Sequence, residues 1–276
     1  MAVTFDKLNP NAPIFRELKS NAPSWWERFV NDPALYIEIR KDNQVNVYFE
    51  GGSIARIHYC SKKRKLQVFT HHKYLGHTKS SNGSLYEECS EYIGQIVDDV
   101  LDHVKKEYSQ KHIANGTIDK EKWSEKFIQG SLIVKNSRIH LDSEFAYKDR
   151  DSDIRIDLIR CENGVLSFVE LKRMDDNRML HEDDQSPEIV DQMNRYRLFV
   201  QNYNEQLLHY YQKVYDLKQS LNLPVPNIRP NEVNSEPQLI IFDRWMKSHP
   251  KRDVHRKRVK EILERENIHY TIQSDL

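Results

Sequence analysis

Charge of either sign is not in excess in this 276-residue chain: 42 Lys and Arg balance 42 Asp and Glu. No global field therefore draws it to nucleic acid, and any such binding has to use local patches. Cysteine is scarce. Cys60, Cys89 and Cys161 are odd in number, far apart and without metal-ligand spacing, which favours a reduced, cytoplasmic compartment and packing roles. Neither a signal peptide nor an apolar run long enough to span a membrane can be read, so no membrane partner is expected. A Gly-x-x-x-x-Gly-Lys-[Ser/Thr] loop is missing, so any ATP-driven step has to come from a partner. No helix-turn-helix or zinc finger announces a reader of bases. His71, His72 and His77 have no carboxylate or cysteine at ligand spacing, which argues against a metal site there.

What is present divides along the chain. Residues 1–33 carry four prolines and the pair Trp25-Trp26, and predict one or two short helices. From Leu35 to Thr70 the runs Leu35–Arg40, Gln44–Glu50, Ser53–Tyr59 and Lys65–Thr70 predict an antiparallel meander, for contact with a substrate or partner or for scaffolding. Tyr92, Ile96, Val100 and Val104 form one stripe of a helix over residues 85–110. A helix over Lys120–Gln129 and strands at Leu132–Val134 and Ile139–Tyr147 follow. A long helix from Pro187 to about Ser220 leads to a strand Gln238–Phe242, a basic helix Arg252–Glu266 and a strand His269–Ile272. The expected organisation is an N-terminal β-meander domain (1–80), a linking helix (81–118) and a mixed α/β domain (119–276).

Between these elements lies the stretch that carries chemistry, Asp153 to Lys172. Asn163-Gly164, flanked by β-rich runs, is a strong hairpin signal. A two-residue loop pairs Glu162 with Val165, and continuing that register sets Asp157 opposite Glu170. Two facing carboxylates destabilise a sheet unless positive charge, usually a divalent metal, sits between them. Lys172 projects from the same face as Glu170. Ile159, Cys161, Leu166 and Phe168 share that face, and Ile154, Ile156, Leu158, Val165, Val169 and Leu171 the other. Strands apolar on both faces belong in the middle of a covered sheet.

Asp157…Glu170-Leu171-Lys172 resembles the catalytic motif of the PD-(D/E)XK nuclease superfamily. The string Glu/Asp-x-Lys also occurs at Glu17-Leu18-Lys19 and Asp216-Leu217-Lys218, but only the third ends a buried strand with an acid on its hairpin partner. After an acidic loop (His181–Gln185), Ser186-Pro187-Glu188 reads as a helix start. The helix places Gln192 and Tyr196 on one face, a Gln-x-x-x-Tyr similar to that of the RecB-like and lambda-exonuclease-like branch. The resemblance covers about 150 residues and leaves the first 110 out.

The resemblance implies a restriction-endonuclease-like core, a central mixed sheet flanked by helices in the order α-β-β-β-α-β, beside the small N-terminal antiparallel β domain. It makes Asp157, Glu170 and the Leu171 carbonyl ligands of Mg²⁺, with Mn²⁺ as a substitute. Lys172 then orients or deprotonates water, while Gln192 and Tyr196 line the site. The family's further upstream acid is assigned to Glu144, with Glu125 as the alternative. Asp153 and Arg155 could touch phosphate or pair with each other. The implied activity is metal-dependent hydrolysis of DNA, with DNA ahead of RNA, in prokaryotic antiviral defence or repair. The expected assembly is a homodimer or a complex with a partner subunit. Two other readings stand beside it: an inactive nuclease fold that binds nucleic acid or protein, and an interaction protein using the meander and Trp25-Trp26 as its interface. Lys62-Lys63-Arg64-Lys65 and the basic segment Lys247–Lys260 are phosphate-binding candidates or solvated faces.

Overall fold

The computed structural model describes residues 7–75, 86–89, 101–102, 113–114, 117–148, 153–180 and 186–276. Two short helices, α1 (Pro13–Ser20) and α2 (Ser24–Asn31), precede an antiparallel sheet in sequential order: β1 (Leu35–Arg40), β2 (Gln44–Phe49), β3 (Gly52–Cys60), β4 (Lys65–His71) and β5 (Tyr86–Glu88). A two-rung ladder, β6 (Ile113–Ala114) with β7 (Thr117–Ile118), comes next. The remaining elements are α3 (Glu125–Lys135), β8 (His140–Lys148), β9 (Asp153–Glu162), β10 (Val165–Arg173), α4 (Glu188–Asn202), α5 (Asn204–Ser220), β11 (Glu232–Val233), β12 (Gln238–Phe242), α6 (Pro250–Arg265) and β13 (Tyr270–Gln273).

The second sheet runs β13-β12-β10-β9-β8, with β11 beside β12 on the same flank of β10. β8, β9 and β10 are antiparallel, whereas β11, β12 and β13 add in parallel. The chain is thus a mixed α/β protein with an antiparallel and a mixed sheet. β10 is central and covered on both faces. Leu158, Val169 and Leu171 pack with Ile128, Leu132 and Ile133 of α3, while Ile159, Leu166 and Phe168 join the cluster that holds Met193, Tyr196 and Tyr211 of α4 and α5.

Four expectations are corrected. Leu132-Ile133-Val134 is the end of α3, not a strand. Its apolar, β-branched text is overridden by a Ser124 cap, whose Oγ accepts from Phe127 N–H, and by burial of Ile128, Leu132 and Ile133 at helical spacing. The helix expected over Lys120–Gln129 starts only at Glu125, after a 3-10 turn Lys120–Lys122. The long helix after Pro187 is two, broken at Tyr203 (φ −119°, ψ 21°), whose ring packs on Phe199 and Tyr147. Of the helix expected over 85–110, Tyr86–Glu88 is strand, held by Arg56 stacking on Tyr86 3.8 Å from its centroid. Leu101 and Asp102 are helical, and the rest, with the boundary near 80, lies outside the described residues, as does His77.

Trp25 and Trp26 are buried in this chain's own core, so they are not an exposed oligomer face. Cys89 and Cys161 are buried and Cys60 half-buried, all three as free thiols. Among the described residues no helix is long and apolar enough to cross a membrane.

The two sheets are fastened together by buried charge and by a glycine contact. Arg40 of β1 donates to the Ser143 carbonyl (2.6 Å) and pairs with Asp142 (3.1 Å), while Lys218 of α5 reaches Glu38 of β1 (2.7 Å). The β2–β3 turn lies against α3, with Gly51 (φ 78°) facing Gly130 so closely that a Cβ on Gly130 would come within 2.4 Å of Gly51 N. Backbone cannot yield as a side chain can. Gly130→Ala is expected to lower stability by about 2 kcal/mol in a urea titration; an unchanged midpoint would mean this contact does not hold α3.

Candidate active site

Asn163 (φ 53°) and Gly164 (φ 86°) take the left-handed pair of conformations that a tight two-residue hairpin demands. The register follows as expected, Glu162 with Val165 through Leu158 with Val169. There the ladder stops, one rung short of Asp157 and Glu170. The β8–β9 ladder also omits Asp157, passing from Ser143–Leu158 to Phe145–Ile156 around Glu144, which has φ 53°. Asp157 thus sits where β9 has lost its partner on both sides.

Side chains satisfy the backbone in that gap. Asp157 Oδ2 accepts from Leu171 N–H (2.9 Å), bridging the hairpin with a carboxylate. Gln129 of α3 donates to the Asp157 carbonyl (2.7 Å), and Tyr196 of α4 donates to the Arg155 carbonyl. A buried backbone acceptor without a partner is costly, so both long side chains are tied to this point by necessity.

Glu170 and Lys172 are almost fully buried, at 2% and 1% exposed. Lys172 Nζ donates to Glu170 Oε1 and to the Leu171 carbonyl (3.1 Å). Gln192 Nε2 donates to Glu170 Oε1 and to Tyr196 Oη (both 2.7 Å), and Tyr196 Oη lies 3.2 Å from Glu170 Oε2. The structure therefore brings together Asp157, Glu170, Leu171, Lys172, Gln192 and Tyr196. α4 begins at Glu188, with Pro187 as its cap, and its Ile189 N–H donates to the Arg178 carbonyl (3.1 Å). The expected acidic loop 181–185 lies outside the described residues.

The upstream acid beside this group is Glu125. Ser124 caps α3 and sets Glu125 in its first turn, with Oε1 3.8 Å from Lys172 Nζ and Oε2 3.5 Å from Arg178. Glu144 is exposed on β8, and its field falls on Tyr36 and Tyr48 instead. Its left-handed backbone, not visible in the sequence, turns it outward to solvent. Asp153 and Arg155 pair with each other (3.4 Å) on the surface. Sequence reasoning missed Gln129, Asp176 and Arg178. Gln129 does leave a signal, a polar residue between Ile128 and Leu132 on a buried helix face.

Electrostatically the cluster is short of positive charge. Arg178 is engaged by Asp176 through two hydrogen bonds (2.9 and 2.7 Å), which holds the Asp176 carboxyl well below its usual range. That leaves Lys172 facing three carboxylates. Burial is the largest cause raising Glu125, to about 7, and also raises Asp157 and Glu170; for Glu170 the neighbouring Asp157 charge adds to it, and Lys172 opposes the rise. Burial and the Glu170 charge push the Tyr196 phenol far up, so it stays a neutral donor.

Among the described residues no group of three or more His, Cys, Asp or Glu is placed to hold a metal ion. Two carboxylates and a backbone carbonyl are nonetheless a hard oxygen set of the size Mg²⁺ takes when waters and phosphate complete its shell. The uncompensated negative charge favours such a cation, so the donors fit one. Three basic residues of α6 are paired: Arg252 with Glu121 (3.1 Å), Arg256 with Asp243 (2.6 Å), and Lys257 with Glu261 (3.7 Å).

Because folding raises the Glu170 pKa, the folded chain binds its proton more tightly than the unfolded one. This stabilising term is complete below about 4.5, the ordinary value, and is lost as pH climbs through about 7. Glu170→Gln cannot titrate. Without divalent ions, its stability should gain on the native chain by roughly 3 kcal/mol between these limits, measured by urea unfolding at a series of pH values. A difference that does not vary with pH would contradict the assignment. No protein family, curated protein or solved structure compared with the chain matches it.

Proposed function

We propose that the chain is a metal-dependent nuclease of the PD-(D/E)XK type that hydrolyses phosphodiester bonds in DNA. The observation that carries this reading is the gap at Asp157. A half-buried carboxylate, a buried one and a buried lysine converge there, and Gln192 and Tyr196 of the next helix hold Glu170. The order α3-β8-β9-β10-α4 and the later β12 agree with the core that the motif implies.

In this reading Asp157, Glu170 and the Leu171 carbonyl hold Mg²⁺, or Mn²⁺ in its place. When bound, the ion polarises the phosphate and acidifies water. Gln192 and Tyr196 keep the Glu170 oxygens oriented, as donors behind a ligand do. Lys172, which lies between Glu170 and Glu125, would offer its ammonium to the phosphate charge. Glu125, raised to about 7, can exchange a proton with water near neutral pH. Arg178, anchored by Asp176, fixes Glu125.

A second reading, an inactive fold that binds nucleic acid or a protein, is favoured by one feature. Lys172 is already paired with Glu170 and lies 3.8 Å from Glu125, so the carboxylates have a cationic partner within the chain.

Incubation with supercoiled, linear and single-stranded substrates in Mg²⁺, Mn²⁺ or chelator separates the two. Cleavage is expected only with metal. Asp157→Ala and Lys172→Ala should each reduce it by at least about 100-fold, and Gln192→Ala by about 10-fold. Binding without cleavage in every metal, unchanged by Lys172→Ala, would favour the second reading.

A further inference from the structure

Away from these carboxylates, a cavity of about 280 Å³ lies where α2 and β1 of the N-terminal part meet the end of α3, β8 and the end of α5. Phe29, Ile37 and Leu223, all buried, give it apolar walls. Its inner polar groups are Glu38, His140 and Lys218, each at most 5% exposed. They are not equally satisfied. Glu38 accepts from Lys218 Nζ (2.7 Å) through one oxygen and from Ser143 Oγ (3.1 Å) through the other. His140 Nδ1 is buried and has no hydrogen-bond partner among the described residues.

An unmet buried nitrogen is uncommon and asks for a ligand group. Glu38 and Lys218 offset each other and Asp32 also lines the chamber, so it has no positive charge in excess to attract an anion. Burial, with Arg160 and Lys218 nearby, drives His140 down to about 3, which leaves a neutral imidazole at physiological pH. Together the three side chains offer a ring nitrogen, an ammonium donor and a carboxylate acceptor beside apolar walls. That combination suits a flat molecule whose edge alternates donors and acceptors. The size lies at the lower end of small-molecule sites.

We propose that this cavity binds a neutral, planar heteroaromatic molecule of nucleobase size, its polar edge meeting His140, Lys218 and Glu38. The site is separate from the proposed nuclease centre and stands whether or not the chain cuts DNA.

The test is thermal unfolding of the full chain with adenine, hypoxanthine, uracil and their nucleosides as probes, and inorganic phosphate as a control. At a hundredfold excess over Kd, at least one base or nucleoside should raise the midpoint by about 5 °C, while phosphate should not. Ser137→Trp places an indole at the half-buried rim and should abolish the shift. His140→Phe removes the nitrogen and should weaken binding at least about 10-fold by calorimetry. Because His140→Phe can fail to fold, the rim variant carries the test by itself. No shift with any base or nucleoside, or a shift that survives Ser137→Trp, would overturn the proposal.

Discussion

Like charge forced into a common low-dielectric space governs this architecture. Asp157 and Glu170 lie on adjacent strands of a sheet buried on both faces, where continuing the ladder would press them together. The ladder ends instead, and Asp157 turns its carboxylate onto the Leu171 N–H. Everything nearby answers the consequences. Gln129 and Tyr196 satisfy the carbonyls that pairing has abandoned, Gln192 and Tyr196 hold Glu170, and Lys172 supplies the single close ammonium. Burial raises all three carboxyls, against the opposing charges of Lys172 and, for Glu125 and Asp157, of Arg178.

The surrounding fold makes that arrangement rigid. α3 delivers Glu125 and Gln129, and it is set by the Gly130–Gly51 approach to the β2–β3 turn. β8 is tied to β1 through Arg40 and Asp142, and α5 to β1 through Lys218 and Glu38. The N-terminal sheet thus acts as a support for the acidic cluster. Its residues share one apolar cluster with those of the second sheet.

The parts legible in the sequence are those fixed by local chemistry. Asn163-Gly164 permits the left-handed turn, the turn fixes the register, and the register puts Asp157, Glu170 and Lys172 at one end. Gln192 and Tyr196 follow from helical spacing. Illegible parts depend on distant partners or on one backbone angle. Leu132-Ile133-Val134 reads as a strand until its burial against β9 and β10 is known. The break at Tyr203 rests on aromatic packing with Tyr147. Lys218 looks like a repeat of the Asp-x-Lys string, whereas its role is set by Glu38, 180 residues away. The choice between Glu125 and Glu144 was open for the same reason: one is placed by a helix cap, the other displaced by a positive φ.

The central proposal is that Asp157 and Glu170, whose carboxyls burial raises, take up a divalent cation. Titration calorimetry with Mn²⁺ near pH 6.5, in buffers of different ionisation enthalpy, measures both binding and proton release. The account predicts binding that expels protons from the raised carboxylates and is lost in Glu170→Gln. Binding with no proton release, or equal affinity in that variant, would contradict it.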